Sequence, residues 1–195
     1  LWGGLPSGAP AAPGRYTVRL SAFGRTDTQP LEIRRDPRVT EADEDLRQQN
    51  ELLGKINAKL TEAHAALGRS RAAREQVTAA AERARGLSQE KEIADAAESL
   101  KKRLTAVEER LYQTKNQSNQ DPLNFPIRLN NKLSWLAAVV SSAESAPTDQ
   151  SLALYTELAG QIDKELAALK ALLDADLRAF NELAARAAVP AAKAQ

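Results

Sequence analysis

The chain has no cysteine, no methionine, a single histidine and only 4% aromatic residues in 195. Without cysteine there is no disulfide, no thiolate metal ligand and no thiol nucleophile. His64 has no second histidine to share a metal with, and a lone His on a helix is ordinarily a surface or seam residue. Neither sign of charge dominates, with Lys plus Arg at 27 and Asp plus Glu at 26. No long-range field therefore draws the chain to nucleic acid or an anionic membrane. No apolar run approaches the roughly 20 residues that span a bilayer. A GxSxG elbow, an HExxH helix, a Walker loop and a GxGxxG turn are missing as well. The expectation is no cofactor and no metal.

Hydrophobic residues reach 43%, but many are alanine, which adds helix propensity and little buried area. Such a composition builds thin helical layers rather than a deep globular core. The opening Leu1-Trp2-Gly3-Gly4, with no initiator Met, reads like the interior of a β-rich region. The chain is expected to be a fragment or a processed form of something longer. No signal peptide is visible, and the lack of cysteine fits a bacterial envelope protein.

Residues 1–38 differ in character from the rest. Tyr16, Val18 and Leu20 alternate with Thr17, Arg19 and Ser21, the period of a half-buried strand. Gly24-Arg25 predicts a turn and Thr28 to Ile33 a return strand, with Pro30 at an edge or bulge. A lone hairpin is marginal in water. This one needs either upstream strands or the helices to cover its apolar face.

Asp36-Pro37-Arg38 marks a boundary, because proline disfavours a helical residue before it. From 39 to 195 the pattern is helical. Thr40 is the expected N-cap of a helix over about 41–84, with Glu41, Asp43 and Glu44 in its first turn. Leu46, Leu53, Leu60 and Leu67 recur at heptad spacing, with Ile56 and Ala63 between. The seam weakens at Ser70 and Arg74, recovers at Val77, and predicts a bend near Gly68. Ser88 caps a second helix, 89–113, whose Ile93, Ala97, Leu100, Leu104, Val107 and Leu111 keep helical spacing. A third, 127–144, starts after Pro126 with Leu129, Leu133, Leu136 and Val140 inward. Thr148 and Asp149 open a fourth, 149–187, with Tyr155, Leu158, Ile162, Leu166, Leu169, Leu173, Phe180 and Leu183 carrying its seam. PAAKAQ reads as a frayed tail.

At 1.5 Å per residue the first and fourth helices span about 60 Å each, and the two shorter ones about match one long one. The fold class is therefore mainly α: a long antiparallel bundle of three legs with a broken middle leg, preceded by a β-hairpin. A regular four-helix bundle is the alternative, but it leaves the ends of the long helices uncovered.

The break, LYQTKNQSNQDPLNFPIRLNNKLSWL over 111–136, is the most informative stretch. Bundle loops run roughly 2–8 residues, so a longer one with prolines and aromatics is expected to fold back and pack. Tyr112, Lys115, Asn116, Asp121, Asn124, Phe125, Asn130, Asn131 and Trp135 are the candidate interaction or plug residues. Asn and aromatic side chains suit a sugar or peptide; they equally cap helices and close turns. In the plug reading Tyr112, Phe125 and Trp135 are buried around the break. Asn116-Gln117-Ser118 matches a glycosylation sequon, taken as accidental. Elsewhere Glu108-Glu109, Asp174 and Asp176 are candidate paired carboxylates, but charge-mixed helical faces account for them.

Two stretches carry a resemblance: the break itself and APAAPGRYTVRLSAFGRTDTQPLEIRRDPR over 9–38. Together, and in this order, they resemble the C-terminal region of bacterial BNR-repeat or sortilin-like β-propeller proteins described as glycosyl hydrolases. The resemblance implies that the hairpin closes an Ig-like sandwich unit and that the bundle follows it. It further implies an exported parent, periplasmic or secreted, whose upstream propeller and Ig-like domains are partners. The propeller's Ser-x-Asp-x-Gly-x-x-x-Trp turns do not occur here, so no catalytic residue carries over. The expected function is a non-catalytic accessory, spacer or docking region. A self-associating or partner-binding coiled coil is the alternative, and part of an active glycoside hydrolase the third.

Overall fold

A computed structural model describes residues 8–118 and 120–193. The opening Leu1-Trp2-Gly3-Gly4, Asn119 of the link and the last two residues of the tail lie outside the described residues.

Strands β1 (Gly14–Ala22) and β2 (Arg25–Ile33) form an antiparallel hairpin in which Ala22 pairs Arg25. The turn is Phe23-Gly24, one residue earlier than expected, and β2 starts at Arg25 rather than Thr28. Both turn residues have positive φ, 50° and 75°, the conformation that suits the right-handed strand twist. Pro30 faces Thr17. Counted from the turn this is a non-hydrogen-bonded pair, so the missing N–H would have pointed outward and costs the ladder nothing.

The helices run up, down and up. Helix α1 (Asp43–Arg83) is the first leg; α2 (Glu90–Leu111) and α3 (Leu129–Val140) share the second. The third is α4 (Asp149–Ala171), a π turn (Leu172–Asp176) and α5 (Leu177–Arg186) in one continuous run. Contacts across the legs set their directions. Gln49 near the start of α1 donates to the Val140 carbonyl at 2.7 Å and also reaches that of Ala143. Lys59 meets Asp163 at 2.6 Å, and Arg83 near the end of α1 faces the Pro190 carbonyl. The three-legged bundle with a broken middle leg is thus the observed architecture.

The inward stripes are largely those of the heptads. Leu53, Ile56, Leu60, Ala63, Leu67 and Val77 are buried, as are all six periodic residues of α2 and the four of α3. Leu46 is only partly buried, and Leu52 takes a core position the heptad count passes over. Gly68 does not break α1, which is continuous through it. Its site is exposed, with nothing near where a Cβ would stand, and bundle packing outweighs glycine's ~1 kcal/mol propensity cost.

Several helix ends differ from expectation. The N-cap of α1 is Ala42, not Thr40, and the Asp45 carboxylate accepts the Ala42 N–H at 3.2 Å. Before α2, Gly86 at φ 79° turns the chain and its N–H bonds Glu90 Oε2 at 2.8 Å. Gln89 is therefore the N-cap and the Ser88 hydroxyl goes to Gln89 Oε1 instead. Helix α3, Leu129–Val140, is shorter than 127–144 at both ends, with extended Arg128 as its N-cap and Ser141 as its C-cap. Thr148 does cap α4, accepting from the Ser151 N–H at 3.2 Å.

The third leg holds one feature with no heptad signature. Its buried residues step from Leu169 to Leu172, then five residues to Leu177, and on to Phe180 and Ala184. The π turn supplies the extra residue, so Leu172 is buried where the heptad count places Leu173. The tail is not frayed over its described part. Ala188 at φ 56° lets the Val189 N–H reach the Ala184 carbonyl at 3.0 Å, a Schellman-type ending. Val189 and Ala192 are then buried, and Asn181 bonds both the N–H and the carbonyl of Ala192.

Leu104 is fully buried in α2, while Glu109 on the same helix is exposed. Leu104→Asp removes about 1.5–3 kcal/mol of apolar burial and adds a desolvated carboxylate. A large fall in melting temperature is expected for Leu104→Asp and almost none for Glu109→Gln; equal values would mean that α2 presents another face to the core.

Candidate functional site at the break in the middle leg

The gap between α2 and α3 is bridged by 112–128, and its shape comes from local hydrogen bonds. The Asp121 carboxylate accepts the N–H and hydroxyl of Ser118, each at 2.8 Å, and the Gln117 N–H at 2.5 Å. Those backbone N–H groups, first Gln117's and then Ser118's, hold the Asp121 carboxyl below the ordinary aspartate range. Asp121–Leu123 forms one 3-10 turn, after which the Phe125 N–H bonds the Asp121 carbonyl at 2.8 Å. Gln113 staples the two ends of the link, its side-chain N–H donating to the Pro126 carbonyl at 2.8 Å.

The candidate residues fall into separate groups. Tyr112 is half-buried, with the Arg71 guanidinium 5.2 Å from its ring centre. Phe125 is half-buried too, and exposed Lys115 stands 5.8 Å over its ring. Asn124 is exposed, and Asn116 is half-buried with a buried Oδ1 that meets no donor. Asn130 and Asn131 are buried in the first turn of α3, and Asn130 Nδ2 lies 3.4 Å from His64 Nε2. Trp135 corrects the expectation of three buried aromatics. It is 43% exposed, because it lies one residue off Leu136 and faces away from the stripe. The large apolar side chains buried on either side of the break are Leu111, Leu129 and Leu133 instead.

The candidate carboxylates meet cations rather than one another. Glu108 is 2% exposed and takes Arg71 on Oε1 at 2.7 Å and Arg74 on Oε2. Arg74 also donates to the Thr105 hydroxyl at 2.7 Å. This explains why the α1 seam turns polar: Arg74 stands where α2 buries a carboxylate. Asp174 pairs with Lys170, Asp176 with Arg103, and Glu109 is exposed. Among the described residues no group of three or more His, Asp or Glu is arranged to hold a metal, and no helix is long and apolar enough to cross a membrane.

Beside the link lies a cleft of about 300 Å³ whose lining includes Arg110, Ile127, Arg128, Lys132, Lys164 and Glu165. Sequence inspection passes over these cations because they come from α2, the link, α3 and α4. The one local cue is the four-residue spacing of Arg128 and Lys132.

No family model, no curated protein and no solved structure matches the chain.

Two measurements test this geometry. Because its side chain is only partly buried, Phe125→Ala is expected to cost about 1–2 kcal/mol, below the ~3–5 of a fully buried Phe; a cost at the upper figure would mean that the ring is a true plug. Partial desolvation of this largely exposed side chain, joined by the charge of Arg71, holds the His64 imidazole below its ordinary pKa. The unfolded chain then takes up the proton first, so stability falls as pH drops from about 6.5 and levels off once the folded imidazole titrates. His64→Gln is expected to remove that step from a plot of melting temperature against pH.

Proposed function

We propose that this chain is a non-catalytic accessory and docking region, a helical strut presenting a β-hairpin to an Ig-like unit of a larger, exported β-propeller protein of glycosyl-hydrolase type. The observation that carries the reading is the hairpin itself. Tyr16, Val18, Leu20 and Leu31 share one face, as the Tyr16–Leu31 pairing requires, and are between 38% and 69% exposed. A two-stranded ribbon with an open apolar face is marginal in water, and the helices leave that face open. Cover from further β-structure is what such a face lacks, and the resemblance of 9–38 supplies its identity. The carboxylates support the non-catalytic part, since Glu108, Asp174 and Asp176 are engaged by cations. Hydrolysis of a glycoside by the usual route needs two carboxyl groups facing a sugar.

A second reading, self-association or partner binding by the bundle, is favoured by Trp135, Val139, Leu152 and Leu154, which are between 42% and 55% exposed. Heptads serve intramolecular and oligomeric packing alike. Sedimentation equilibrium separates the two, since a monomer throughout the micromolar range excludes strong self-association.

Amide exchange tests the docking role. The amides of β1 are expected to exchange fast in this chain and to become protected in a longer polypeptide that includes an upstream Ig-like unit. Equal exchange in both would overturn docking. Turnover of aryl glycosides by the purified chain, abolished by replacing one of its acids, would overturn the non-catalytic reading.

A further inference from the structure

We propose that the cleft at the break in the middle leg is a binding site for a small phosphate-class oxyanion, either the free ion or the phosphate of an organic monoester. The site stands on its own geometry, whatever the hairpin docks against.

Charge is the first argument. The chain as a whole is nearly neutral, at +1, yet this one cleft gathers Arg110, Arg128, Lys132 and Lys164 against a single acid, Glu165. That acid is already consumed: Arg110 Nε donates to Glu165 Oε2 at 2.7 Å, and Glu165 is 9% exposed. Arg128, Lys132 and Lys164 have no carboxylate partner among the described residues. Several cations elsewhere on the bundle are paired, as Lys59, Arg71, Arg74, Arg103 and Lys170 show, whereas this cleft brings three unpaired ones to one place.

An orphaned donor points the same way. Arg128 Nε is buried and meets no acceptor. Buried donors in folded proteins are almost always satisfied, and an unsatisfied one calls for an explanation such as an ion or ligand. A guanidinium is well suited to oxyanions because its N–H groups form a planar fork. The fold adds to this: Arg128 is the N-cap of α3, no side chain caps that helix, and its positive end opens beside the cleft.

Shape decides the class. The three unpaired cations come from the link, α3 and α4, so they approach from different elements rather than along one edge. A tetrahedral oxyanion offers acceptors in several directions, whereas a carboxylate offers two in one plane. The volume of about 300 Å³ exceeds that of a bare ion, and Ile127 and Leu129 give it an apolar wall. A small organic body attached to the phosphate fits that wall.

The test is titration of the whole chain, followed by NMR shifts and calorimetry at low salt, with inorganic phosphate, phenyl phosphate and acetate. Saturable shifts confined to 127–132 and 161–165 are expected with both phosphates and not with acetate, and they should weaken as salt rises. Tighter binding of phenyl phosphate assigns an organic monoester; parity assigns the free ion. Lys164→Gln and Arg128→Gln should each weaken binding about tenfold, the loss of one charge-assisted contact. Exposed Lys102 on α2 is the control, and Lys102→Gln should bind as the parent does. Because Lys164 is exposed, its variant keeps the test valid even if replacing Arg128 disturbs the link. Shifts spread evenly over surface cations, equal response to acetate, or unchanged binding in Lys164→Gln would overturn the proposal.

Discussion

Helix α1 spans about 60 Å at 1.5 Å per residue, and neither α2 nor α3 is long enough to cover its apolar stripe alone. That mismatch of lengths governs the rest of the structure. The second leg has to be assembled from two helices on a shared line. The chain between them must therefore leave the bundle, turn, and come back to the same axis. A flexible connection would leave the position of α3 undefined. The link is fixed instead by short-range hydrogen bonds, with Asp121 folding 117–125 onto itself and Gln113 tying the start of the link to Pro126.

A break in a leg also opens the core to water, and polar residues answer this from both sides. Glu108 is the extreme case, a carboxylate 2% exposed. Burying it alone would cost several kcal/mol, but Arg71 and Arg74 reach it from α1 with one guanidinium on each oxygen. The arrangement fixes the register of α1 against α2 one turn from the break. Asn130 and His64 do the same on the far side with neutral groups. Such contacts add little net stability compared with packed leucines, but they specify which turn of α1 meets which turn of its neighbours. Leucine seams of heptad spacing leave that choice nearly open.

The buried stripes of α1, α2 and α3 were legible in the sequence because helical period and burial are one signal, and the broken leg followed from lengths. Helix starts at Thr40 and Ser88 misread the local chemistry. Asp45 and Glu90 reach back instead to the N–H groups of Ala42 and Gly86. The π turn left no trace in the pattern, since a single added residue is indistinguishable from a drift in heptad phase. Trp135 is expected inside only if the aromatics plug the break, yet a neighbour of the stripe lies about 100° from it on a helix. The cationic cleft was illegible for another reason. Its members belong to four segments, and only the folded chain makes them neighbours.

The two ends of the molecule are satisfied unequally. At the far end of the third leg, Asn181 and Gln76 collect the backbone of the tail, and Val189 and Ala192 close the core against α1. At the near end, the hairpin rests on the bundle only by its base, where Pro13 and Ile33 line a cavity of about 280 Å³ with Leu46 and Glu144. Arg35 anchors that base through the Glu41 carbonyl at 2.5 Å and the Asp43 carboxylate at 3.6 Å. An anchored root with an open apolar blade gives the hairpin a fixed direction while leaving its face unfilled. The bundle therefore contributes orientation to whatever covers β1 and β2, and the length of the legs sets how far that contact stands from the cleft at the break.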